Sequence, residues 1–183
     1  WISDYDKQIS LTQMIRTDES VERFGLKKIK ELDFIDDSQK KKLEGALINK
    51  SSLVPEKIPY HLVNTDLKVH NVLVDSKKVI VIDWEKMQEE FPIFWMASSF
   101  LRSLHDLSIN WFISNSTIEE LKATFIKEYS DKSSLNDSLV YFNLVQVFEI
   151  LTFLAGLKSE NRFTHRKKYF LYEYLKRLLD INE

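Results

Sequence analysis

The chain has 183 residues, 44% of them hydrophobic, with a net charge of -2 and no cysteine. That length and apolar content support a folded core. The near-zero charge removes the usual electrostatic case for nucleic acid or an anionic membrane, and the lack of thiols excludes disulfides and thiolate metal sites.

Residues 1–50 read as helical, with Val21, Phe24, Ile29 and Leu32 near one face. Ser38 is placed to cap a short helix, Gln39 to Ile48. Ser51 to Pro59 carries two prolines and reads as an irregular connector, after which Tyr60 to Val63 reads as a short strand.

Val72-Leu73-Val74 and Val79-Ile80-Val81-Ile82 are β-branched and apolar, and Asp75-Ser76-Lys77-Lys78 supplies turn chemistry, so a hairpin is expected. A turn centred on Lys77 sets Asn71 opposite Asp83; one centred half a residue earlier sets it opposite Ile82. Directly opposed residues have Cβ atoms about 4.5–5.5 Å apart, close enough to share a metal ion.

From Pro92 onward the chain reads as helical. Ser116-Thr117-Ile118-Glu119 has the form of a capping box, opening a helix with Leu121, Phe125 and Ile126 inward. Asn136 or Asp137 is placed to cap the longest apolar run, Leu139 to Leu157. That run contains Glu149, so it is expected to be a buried helix rather than a membrane span. Glu149 is expected to serve structure as a hydrogen-bonding group rather than as an acceptor-site acid that holds a cationic substrate. A last helix is expected from Thr164 to Leu179, with Phe170, Leu171, Tyr174, Leu175 and Leu178 inward. Arg162, His165, Arg166, Lys167 and Lys168 read as a solvated basic face, and Trp84, Trp95 and Trp111 as core residues.

The chemistry concentrates in Asn64-Thr65-Asp66-Leu67-Lys68-Val69-His70-Asn71-Val72-Leu73-Val74 and Ile82-Asp83-Trp84-Glu85. An acid, an amide and a second acid at the end of an apolar strand form the set that phosphoryl transfer from a metal–nucleotide complex needs. One carboxylate orients an acceptor hydroxyl, while the amide and the other carboxylate hold metal. These segments resemble the catalytic loop (His-Gly-Asp, four residues, Asn-Ile-Leu) and the Ile-Asp-Trp/Phe-Glu segment of the aminoglycoside phosphotransferase and choline kinase family. The specific match covers roughly residues 60–85.

The resemblance implies an α+β, mainly helical chain: the C-terminal lobe of a protein-kinase-like fold, with a small hairpin carrying the metal site. It implies Asp66 as base or orienter and Lys68 as a cation for the transferred group. Asn71 and Asp83 would be the Mg²⁺ and nucleotide ligands, with Leu73 and Ile82 under the adenine ring. ATP or GTP would be the donor and a hydroxyl on a small molecule the acceptor, in a cytoplasmic enzyme with no nucleic-acid or membrane partner.

Two positions depart from the family pattern. Its loop histidine is Asn64 here, and the acid expected three residues after Pro92 is Trp95. A different, apolar support behind the loop is one expectation; a mis-set loop with weak activity, or a non-catalytic kinase-like scaffold, is the other. A protein kinase is disfavoured because Trp84-Glu85 follows Asp83 in place of Phe-Gly. Residues 1–60 hold no glycine-rich loop and no paired strand lysine. The expectation is therefore one lobe spanning residues 1–183, with its nucleotide lobe upstream of Trp1, and inactive in isolation.

Overall fold

The computed structural model describes residues 2, 13–75, 78–109, 113–132, 139–158 and 161–181. It is mainly helical α+β, as expected from the sequence. Two compact units can be distinguished: Pro59–Asn136 with Trp1–Gln13, and Met14–Ile58 with Asp137–Glu183. The expected caps at Asn136 and Asp137, the turn residues Ser76 and Lys77, and Trp111 lie outside the described residues.

The second unit is helical apart from the short strand β1, Gln13–Arg16, which falls where a helix was expected. Thr17–Ser20, Val21–Leu26 and Lys27–Glu31 then run without a break as α1, the middle stretch in π-helical form. Val21, Phe24, Ile29 and Leu32 are buried, as the periodicity predicted. α2 is Asp37–Ser51, and its cap is Asp36 rather than Ser38. The Asp36 carboxylate accepts from the Gln39 backbone N–H at 2.8 Å, and the Gln39 side chain accepts from the Asp36 N–H at 3.0 Å. This reciprocal box satisfies two donors that a helix start otherwise leaves open. A Cβ on Gly25 would collide with the Leu47 side chain of α2, so glycine permits the close packing of α1 on α2.

α5, Leu139–Gly156, forms the core of this unit. It is long and apolar enough to cross a membrane, but 67% of its apolar window is buried within the protein, as in a core helix. Two of its polar positions are buried, and Asn143 and Thr152 are half-buried. Gln146 accepts a 2.7 Å hydrogen bond from the Tyr174 hydroxyl of α6, Arg162–Leu178, and Glu149 is buried. On α6, Leu171, Tyr174 and Leu175 are buried, whereas Phe170 and Leu178 are only half-buried.

The basic run on α6 is not simply a solvated face. Lys168 is buried and pairs with Asp33 at 2.9 Å, and its ammonium holds that carboxyl below the usual range. Lys167 lies over the Phe153 ring and Arg166 over Phe170.

The first unit carries a pair of strands and a two-stranded hairpin. β2, Lys57–Asn64, is longer than expected and pairs antiparallel with β5, Met87–Pro92. β5 was not expected, and Pro92 ends it rather than opening a helix. A register shift falls between His61 and Val63. His61 is fully buried, and burial lowers its pKa to about 4. β3, Val72–Val74, and β4, Val79–Val81, form the expected hairpin.

α3, Trp95–Ile109, and α4, Asn115–Lys132, complete the unit. Ser114, not Ser116, caps α4 by accepting from the Thr117 N–H at 3.2 Å. The start therefore shifts, and Ile118, Lys122 and Tyr129 are buried while Leu121 is exposed. Phe125 is half-buried and stacks on Tyr129.

Candidate functional site

The hairpin settles the register that the sequence left open. Val72 faces Val81, Leu73 faces Ile80, and Val74 faces Val79. Extended by one pair, Asn71 stands opposite Ile82, and the Ile82 N–H donates to the Asn71 carbonyl at 2.9 Å. Asn71 and Asp83 are diagonal rather than opposed. Their side chains still meet, with Asn71 Nδ2 3.2 Å from Asp83 Oδ2.

Backbone conformation contributes to this meeting. Asp83 has φ 64, in the left-handed region, which turns its carboxylate out of the strand direction. Trp84 follows at 40% exposure, not in the core as expected, with its indole N–H donating to the Val81 carbonyl at 2.9 Å. Asn71 ends a 3₁₀ turn, Val69–Asn71, whose N–H donates to the Lys68 carbonyl at 2.9 Å.

Asp66 and Lys68 lie on the same loop. The Lys68 ammonium is 2.8 Å from Asp66 Oδ2, with both side chains one-third exposed. Asn71 Nδ2 also lies 3.5 Å from the Asp66 carbonyl. The structure thus brings Asp66, Lys68, Asn71 and Asp83 into one polar cluster. His70 is exposed beside it.

Leu73 and Ile82 flank the cluster at 51% and 42% exposure. Ile80, on the same face of the ribbon, and Val74 and Val79, on the opposite face, are also exposed. A two-stranded ribbon with apolar residues open on both faces is a surface suited to covering.

Sequence reasoning missed what holds the loop. Asn64, fully buried at the end of β2, accepts from the Asp66 N–H at 3.0 Å and donates to the Asp83 carbonyl at 3.1 Å. The support at this position is polar, not apolar. Ser103 of α3 is also buried, and its hydroxyl accepts from the Val69 N–H at 3.0 Å. Thr65 is pinned through its N–H and its hydroxyl to the Lys86 carbonyl. At Trp95 the support is apolar: the buried indole packs edge-on against Phe91, with centroids 4.8 Å apart. The only signal available for Asn64 was an Asn two residues before an Asp, a common local turn pairing.

The donor set fits a hard cation. Among the described residues no three His, Cys, Asp or Glu side chains gather to hold a metal ion. The protein instead offers one amide and one carboxylate that converge, and half a turn of the Asn71 amide presents its oxygen where its nitrogen now lies. Mg²⁺ binds through one or two protein groups and completes its shell with waters and phosphate oxygens. A groove of about 600 Å³ in the second unit, lined by Thr17, Val21, Ile48 and Val54 among others, contains none of these residues.

Comparison of the chain with protein-family models, with curated proteins and with solved structures found no match.

Proposed function

We propose that this chain is the C-terminal lobe of an ATP- or GTP-dependent phosphotransferase with a protein-kinase-like fold. Its acceptor is a hydroxyl of a small molecule such as an amino sugar or amino alcohol, as the resemblance to aminoglycoside phosphotransferases and choline kinases implies. The observation that carries the reading is the convergence of Asn71 and Asp83 at 3.2 Å, with Asp66 and Lys68 on the same loop.

In this reading Asp66 orients the acceptor hydroxyl and draws off its proton, which requires hydrogen-bond reach. Lys68 holds the Asp66 carboxylate now and is near enough to follow charge onto the transferred group. Asn71 and Asp83 would hold Mg²⁺, which when bound would neutralise charge on the nucleotide phosphates. Leu73 and Ile82, both exposed, give the base an apolar seat. Residues 1–60 hold no glycine-rich loop and no paired strand lysine, so this reading requires a phosphate clamp from outside them.

The test is Mg²⁺-dependent transfer from ATP or GTP to a panel of amino sugars and amino alcohols by the intact protein. Asp66→Ala should lower turnover by about 10²–10⁴-fold without changing the melting temperature. Near-normal turnover in that variant rejects the assignment of the base.

A non-catalytic kinase-like module is the second reading. The closed Asp66–Lys68 ion pair favours it, because the pair occupies the carboxylate that an acceptor would need. Transfer above background by the intact protein decides against it.

A further inference from the structure

The main chain of both acidic residues is held by one buried side chain. Asn64 is fully excluded from solvent. Its carbonyl oxygen receives the Asp66 N–H and its amide donates to the Asp83 carbonyl. The second bond lands on an unusual backbone. A non-glycine residue at φ 64 is disfavoured on its own and persists where its surroundings fix it. The Asn64 amide is such a constraint, and a buried donor of this kind is costly to leave unmade.

The amide-bearing side of the site has its own anchor. Ser103 is fully buried on α3. It donates to the Phe100 carbonyl at 2.7 Å while accepting from the Val69 N–H at 3.0 Å. Val69 opens the 3₁₀ turn that ends at Asn71. One buried amide therefore fixes the acid-bearing segments, and one buried hydroxyl fixes the amide-bearing turn. Neither touches the Asp83 carboxylate or the Asn71 amide directly.

We infer that Asn64 and Ser103 are positioning residues that together set the separation of Asn71 from Asp83, and so the strength of cation binding at the site. Asn64 occupies the position of the loop histidine; Ser103 acts from a different place on α3, eight residues beyond Trp95. The consequence for cation binding rests on the phosphotransferase reading; the bracket itself does not.

Two readouts separate the two claims. The first is amide hydrogen exchange of the intact protein without ligand. Asn64→Leu, which loses both bonds, should speed exchange at Asp66. Asn64→Asp, which keeps the acceptor oxygen, should leave that amide protected. Ser103→Ala should speed exchange at Val69, and Ser103→Thr should restore it. Unchanged exchange at Asp66 in Asn64→Leu and at Val69 in Ser103→Ala overturns the bracket.

The second readout is Mg²⁺ titration in the presence of a non-hydrolysable ATP analogue. Asn64→Asp places a carboxylate oxygen against the Asp83 carbonyl. It should raise the half-saturating Mg²⁺ concentration by about 10–100-fold, the usual scale for groups that orient a metal ligand. The acceptor KM should stay unchanged. An unaltered Mg²⁺ requirement in a folded Asn64→Asp protein overturns the positioning role. If that variant fails to fold, Ser103→Ala decides, with the same expectation and rescue by Ser103→Thr. If the wild-type protein ignores Mg²⁺ and nucleotide while the variants show the predicted exchange pattern, the phosphotransferase reading falls and the bracket stands.

Discussion

The α5 helix and the β3–β4 ribbon are both apolar nearly all round, yet one is buried and the other open. In α5, Phe142, Leu144, Val145, Val147, Phe148 and Leu151 are all shielded from solvent. In the ribbon, Leu73, Val74, Val79 and Ile80 are all more than two-fifths exposed. The difference is one of reach. An eighteen-residue helix presents enough surface to recruit α1 and α6 around it. Two strands of three residues do not, and such a ribbon is marginal by itself. Apolar character in the helix serves the fold; in the ribbon it is left open beside a polar cluster.

That contrast can be tested from both sides. Asp83→Ala should have the largest effect, abolishing Mg²⁺-dependent nucleotide binding; its cost in thermal unfolding should be only about 1 kcal/mol, from placing alanine at φ 64 on an exposed position. Unchanged calorimetric affinity in the presence of Mg²⁺ would count against the site. Phe148→Ala, deep in α5 and 6.0 Å from the Phe24 ring, should cost about 3–5 kcal/mol in urea unfolding. Nucleotide binding by the fraction that stays folded should be intact.

An intermediate effect comes from His61. Its folded pKa of about 4 lies below the usual 6.5, so the unfolded state binds the extra proton between those values. The stability held at pH 7.5 should therefore fall as the pH drops through 6.5 and level off below 4, by about 2 kcal/mol at pH 5. His61→Gln should flatten that slope. Smallest of all, Ile80→Ala on the open ribbon should shift stability by no more than about 0.5 kcal/mol. A loss as large as that of Phe148→Ala would show that the ribbon is part of the core.

Much of the site was legible because it is local. The loop from Asn64 to Asn71 and both ribbon strands follow from spacing and β-branched composition. So does α5, whose apolar run leaves few alternatives. What escaped was non-local or decided by half a residue. β5 reads Met-Gln-Glu-Glu-Phe-Pro, a poor strand by propensity, and its place depends on pairing with β2. The Lys168–Asp33 pair joins residues 135 apart, so composition alone cast Lys168 as a surface charge. The cap of α2 moved from Ser38 to Asp36 because only Asp36 has a glutamine three residues on to close the box. An apolar support behind the loop was one expectation; the chain has that at Trp95 but uses polar groups at Asn64 and Ser103.

Trp84 gives the site a built-in optical reporter. It follows Asp83 directly, is 40% exposed, and has its indole tethered to Val81, whereas Trp95 is sealed at 2%. In a protein whose Trp1 and Trp111 are replaced by Phe, occupancy beside Asp83 should change the emission and acrylamide quenching of Trp84 while Trp95 contributes a constant background. Titrations can then be followed by intrinsic fluorescence without any added label.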